Sequence, residues 1–181
     1  MRKSEATKRA ALLVAALALL GAAAAEDIQV TPLARDGHVL VSFTLADGLT
    51  AEVHDAIRSG LPITFTYDIE LRRAIGYWFD RTIGSATVTA TVQYDNLTRR
   101  NQLARAVDGR MEDSKISEDE QVVRRWLTAF ERLPLFSTRE LETNGEYYVR
   151  VRSRTQPRVA WSFWPWDRGS SSGHATFTFI P

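Results

Sequence analysis

The sequence predicts a mainly β (α+β) fold, an antiparallel β-sandwich or curved sheet of about seven to nine strands with two packed helices. Three observations carry that expectation. Apolar and polar residues alternate with period two over several long runs, the signature of strands with one buried and one wet face. An Asp-Gly pair separates two β-rich runs near residue 36, and both residue types tolerate the positive φ of a tight hairpin turn. Finally, only two segments carry helical spacing. Clean alternation also favours antiparallel pairing, because strands buried on both faces read as continuous apolar runs.

Taken in order, Ile28 to Leu33 and Val39 to Leu45 flank Asp36-Gly37 and form the first hairpin. Thr50 to Ser59 reads as a helix with Val53, Ala56 and Ile57 on one stripe and Gly60 at the C′ position. From Leu61 the apolar residues fall on odd numbers, as Leu61, Ile63, Phe65, Tyr67, Ile69 and Leu71, so a strand should run to Arg72. Ala86 to Tyr94 repeats the pattern, with Val88, Ala90, Val92 and Tyr94 inward. A second helix is expected where Ser117 and Glu120 make a capping-box pattern and Glu118 and Asp119 add negative charge to the first turn. Its stripe is Val122, Val123, Trp126, Leu127 and Phe130, and Leu133-Pro134 should end it. Tyr147 to Thr155 is a strand with Tyr147, Val149 and Val151 on one face and Arg150, Arg152 and Arg154 on the other; Phe177 and Phe179 mark the last strand.

The first 25 residues read as a secretory signal. Arg2, Lys3, Lys8 and Arg9 precede an apolar run from Ala10 to Leu20, and Ala23-Ala24-Ala25 offers a small-residue cleavage site before Glu26. That run falls short of the ~20 residues a membrane-spanning helix needs. Residues 1–25 are therefore expected to be removed on export to the periplasm, and 26–181 to form a single β-rich domain with no stable membrane span. The leader also explains the faint basicity of the chain, 23 basic against 22 acidic side chains, because without it 19 face 21. There is no cysteine, which excludes disulfide staples, a thiol nucleophile and thiolate metal sites. The core must then hold together by burial alone.

Residue chemistry points to no catalytic site and to no cofactor. His38, His54 and His174 are scattered and lack metal-ligand spacing. The serines between Gly169 and Gly173 lack a strand-to-helix elbow and read as a surface loop. Asp68, Glu70 and Asp80 could serve an envelope hydrolase only if facing elements held them together. Nucleic acid is not an expected partner of a mildly acidic exported chain. Arg150, Arg152 and Arg154 are a candidate anionic contact, although like charges along one strand face normally pair with acids on its neighbour, here Asp68 and Glu70. The candidate partner or ligand contact is Trp161, Phe163, Trp164 and Trp166, four aromatics in six residues interrupted by Pro165. Such amphipathic rings either anchor a partner or fold back to cap the core.

One segment resembles a known signature. Ser59-Gly60-Leu61-Pro62-Ile63-Thr64-Phe65-Thr66-Tyr67-Asp68-Ile69-Glu70-Leu71-Arg72 is similar to the strand motif of bacterial exported proteins called domain of unknown function 4390. Trp78, then Tyr94, Leu97, Thr98 and Arg99, and later Gly145, Tyr147, Val149, Val151 and Arg152 match further family segments. The chain departs from that pattern after Phe163. The resemblance implies export but brings no activity and no site residues. The expected function is a non-catalytic envelope binding or accessory module that contacts another envelope protein. The alternative is a carrier of a lipid or other apolar ligand held between the sheet and the Val122–Phe130 stripe.

Overall fold

The structure is a computed structural model, and it describes residues 27–46, 48–75, 79–157 and 171–180. The signal-like segment, Tyr77-Trp78 and Trp161–Trp166 lie outside those residues. The described chain forms two antiparallel sheets. Strands β1 (Ile28–Arg35), β2 (His38–Leu45) and β7 (Ala129–Ser137) make a sheet in the order β1-β2-β7. Strands β3 (Ile63–Ile75), β4 (Phe79–Asp95), β5 (Arg100–Val107), β6 (Arg110–Ser117), β8 (Glu146–Pro157) and β9 (Ser172–Thr178) make a six-stranded sheet in the order β6-β5-β4-β3-β8-β9. Helix α1 (Ala51–Arg58) links β2 to β3, and α2 (Glu120–Thr128) links β6 to β7. The expected mainly β, sandwich-like fold with two helices is what forms.

Each sheet turns its alternating apolar face toward the other. Phe65, Tyr67, Ile69 and Leu71 of β3 are buried, as are Val88, Ala90 and Val92 of β4 and Tyr147, Val149 and Val151 of β8. The small sheet answers with Val39, Val41 and Phe43. Between the sheets the rings of Phe43, Tyr67 and Phe130 meet at centroid distances of 4.6 to 5.2 Å. Aromatic contacts of this kind add to the area term that dominates a core without disulfides. Along one margin β1 lies against β9, and a Cβ on Gly173 would sit 1.9 Å from the Ile28 carbonyl oxygen. Along the other margin β6 and β7 belong to different sheets, and α2 crosses between them.

Several expectations need correction. Ser117 is not the cap of α2: it ends β6, and its hydroxyl accepts only from the Asp119 amide. Asp119 is the N-cap, accepting from the amides of Gln121 and Val122 at 2.7 and 3.4 Å. The helix stops at Thr128, so Phe130 and Leu133-Pro134 belong to β7. A proline is tolerated there because β7 is an edge strand with irregular pairing at this point. Leu61 lies before the strand it was expected to begin and is partly exposed. Ser172 and Gly173 are strand, not loop, and His174 lies in that strand too. The hairpin β5–β6 was not expected at all.

Candidate functional surfaces

The arginine row on β8 meets acids one strand away. The register sets Asp68 opposite Arg152 and Glu70 opposite Arg150. Arg150 Nη2 donates to Glu70 Oε2 at 2.6 Å, and Arg72 lies 3.5 Å from the same oxygen. Arg154 reaches diagonally to Asp68 and pairs with it. Arg152 has no ion-pair partner among the described residues. Asp80 accepts a hydrogen bond from the Tyr148 hydroxyl at 2.5 Å. Two of the three arginines proposed for an anion are therefore occupied by the acids proposed for hydrolysis. Such pairing is the ordinary way to stabilise a charged sheet face.

The histidines do not converge. His38 Nδ1 lies 3.0 Å from the Asp36 carbonyl, and His54 Nε2 lies 3.3 Å from Glu120 Oε1. Among the described residues no group of three or more His, Asp or Glu could hold a metal ion. Among them, too, no helix is long and apolar enough to cross a membrane.

The densest polar constellation is one that spacing did not reveal. Arg105 of β5 reaches under the C-terminal end of α2. Its Nε donates to the Trp126 carbonyl at 3.1 Å, and its Nη2 donates to the carbonyls of Trp126 and Ala129 at 2.6 and 2.7 Å. The guanidinium carbon stands 4.4 Å from the Trp126 ring and 4.2 Å from the Phe130 ring. A helix leaves its last carbonyls without partners and carries partial negative charge there. Arg105 satisfies both needs from a neighbouring sheet. Burial pulls its pKa down, and the charges of Asp113 and Tyr67 oppose that shift. Beside this latch opens a groove of about 370 Å³ lined by Arg105, Lys115, Val122, Arg125, Trp126, Ala129 and Glu131.

Tyr67 completes the latch by donating its hydroxyl to the Leu127 carbonyl at 2.7 Å. Desolvation pushes its pKa above the ordinary value of 10.0, against the pull of Arg105. The unfolded chain releases this proton near pH 10 while the folded chain keeps it, so the folded state binds more protons. Stability from this group is intact below pH 10 and falls by about 1.4 kcal/mol per pH unit above it. Tyr67→Phe should cost about 1 kcal/mol at pH 7 through the lost hydrogen bond. Urea unfolding from pH 8 to 11 should then show a shallower alkaline decline for the variant. Equal slopes would contradict the assignment.

A second feature stands at the β4–β5 turn. Asp95 Oδ1 accepts from the Leu97 amide at 2.8 Å and the Thr98 amide at 3.3 Å, and the Arg99 amide donates to the Asp95 carbonyl at 2.7 Å. Arg99 takes a left-handed φ of 58°. Those amides hold the Asp95 carboxyl below the usual carboxylate range, Leu97 first. The turn is thus fixed by its own hydrogen bonds, and it holds up a leucine that is 95 % exposed. Trp161, Phe163, Trp164 and Trp166, the aromatic candidates, lie outside the described residues.

The protein-family model described as Domain of unknown function (DUF4390) matches residues 21–158, most of the chain. No curated protein and no solved structure matches it. The chain belongs to the DUF4390 family.

Proposed function

We propose that this family member is an exported, periplasmic module without catalytic activity that works by binding another protein of the envelope. The leader-like order of residues 1–25 supports export. The observation that carries the binding role is Leu97. An apolar side chain held almost wholly in water on a preorganised turn is a contact whose ordering cost is met before the partner arrives. Leu97, Thr98 and Arg99 belong to a segment by which the sequence resembles its family. The aromatic run Trp161–Trp166 is the second contact in this reading, chosen for its composition.

The carrier alternative needed an apolar cavity between sheet and helix. Val123 and Leu127 of α2 are buried in the core, and the groove beside that helix is lined by four charged side chains, Arg105, Lys115, Arg125 and Glu131, which argues against an apolar ligand. The hydrolase reading loses support because Asp68 and Glu70 are paired with arginines.

Leu97→Asp, and separately Trp164→Ala with Trp166→Ala, should each abolish co-purification of the envelope partner. Leu97→Asp should leave the thermal midpoint within about 2 °C, as expected for an exposed site. A partner that still co-purifies with both variants would contradict the reading. A collapse of stability in the tryptophan variant would make those rings core and remove them as a contact.

A further inference from the structure

β6 is the open edge of the six-stranded sheet, and every residue from Arg110 to Ile116 is exposed. An open edge offers a row of unused backbone donors and acceptors, and proteins commonly blunt it with charged side chains, often lysine. The charges on β6 are of both signs. Asp113 and Lys115 stand on either side of Ser114, on the strand face that carries Lys115 opposite the buried Leu103 and Asp113 opposite Arg105. Neither side chain makes a close ion pair among the described residues, although Asp113 stands across from Arg105 and its charge acts on it; Asp68, Glu70, Glu118 and Glu142 all make close pairs. Lys115 is also the single lysine beyond residue 8.

Opposite signs placed symmetrically about one residue have a geometric consequence. If a second copy of β6 pairs antiparallel with Ser114 on the two-fold axis, Asp113 falls opposite Lys115 of the second copy, and Lys115 opposite its Asp113. Directly opposed residues in an antiparallel pair have Cβ atoms about 5 Å apart, close enough for opposite charges to attract and like charges to repel. A guard of one sign would repel a second copy; this one attracts it. We propose that the protein self-associates through β6, as a two-fold dimer whose sheets join into one across the paired edges. The interface is isologous, so it closes at two copies and does not propagate. This goes beyond the envelope-partner reading, whose carrying residue, Leu97, lies on the β4–β5 turn and not in β6.

Sedimentation equilibrium of the purified protein tests it. The wild type should show a concentration-dependent monomer–dimer equilibrium. Lys115→Asp and Asp113→Lys should each weaken the dimer about thirtyfold, since two attractive pairs become two repulsive ones. The double exchange Asp113→Lys with Lys115→Asp restores both pairs with their signs reversed and should restore the dimer. Both residues are exposed, and circular dichroism melting checks that each variant still folds. Amide exchange supplies an independent readout: β6 amides should gain protection as wild-type concentration rises. A protein that stays monomeric at high micromolar concentration would overturn the proposal. So would a dimer indifferent to these charges, or a double exchange without rescue. Protection of β6 that appears only with a foreign strand would assign the edge to a different partner and likewise overturn it.

Discussion

Replacing Arg105 by alanine should lower stability by about 3–4 kcal/mol, because one side chain donates to the carbonyls of Arg125, Trp126 and Ala129 at the end of α2. Hydrogen bonds from a charged donor contribute about 1.5–3 kcal/mol each, though here they share one group. The two ring contacts add about 0.5–2 kcal/mol between them. The groove lets water reach part of the freed backbone, which limits the loss below the plain sum. For a chain of this size the thermal midpoint should drop by roughly 10 °C. Arg105→Lys should recover about a third of the loss, since an ammonium on a flexible stem cannot fork between the Trp126 and Ala129 carbonyls. Amide exchange should speed up first in the last turn of α2. A midpoint within 2 °C of wild type would show that the helix end is held by something else.

Gly173→Ala should cost about 3 kcal/mol, at the upper end of overpacking penalties, because the added methyl meets backbone. Its Cβ would stand 1.9 Å from the Ile28 carbonyl oxygen and 2.8 Å from the carbonyl carbon. No rotamer change relieves that overlap. β1 must move off β9, and the closed margin between the two sheets opens. Gly37→Ala is the control, since it has a positive φ of 77° but nothing within 4 Å of the new methyl. It should cost only the backbone strain of a left-handed alanine, about 1 kcal/mol. Equal losses in chemical denaturation would refute the close approach at Gly173.

Where burial imposed a period, the fold was legible. β3, β4 and β8 each turn one face to the core, so their odd or even residues announce them. β6 announces nothing, because all but its last residue are exposed and no alternation exists to read. Its hairpin still had a local signal in Asp108-Gly109, the same dipeptide that marks Asp36-Gly37, with φ of 48° and 77°. The first residues of β7 fall within the helix that the sequence predicts, for a different reason. Arg132 takes a positive φ of 50° where the pairing with β2 is irregular, which disrupts period two. Phe130 then falls four residues after Trp126 and three after Leu127, and so extends the stripe of α2. The Ser117–Glu120 pattern was present, but Asp119 lies nearer the free amides and takes the cap.

The surfaces were legible in part. Arg150 and Arg154 pair with Glu70 and Asp68 because strand spacing alone places them within reach, so sequence reasoning could name the partners. Arg105 could not be found that way. Its role depends on β5 passing beneath a helix end that lies about twenty residues further along the chain, and no local pattern encodes that crossing. The Asp95 turn lies between those cases. Leu97, Thr98 and Arg99 carry a family resemblance in the sequence, but the exposure of Leu97 is a property of the folded turn.

The most direct measurement is photo-cross-linking in intact cells from residue 97 and, separately, from residue 164. Both positions should capture the same envelope protein, and a probe at Arg35, where β1 ends, should capture none. Failure to capture any other protein from either position, or adducts only with cytoplasmic proteins, would contradict it.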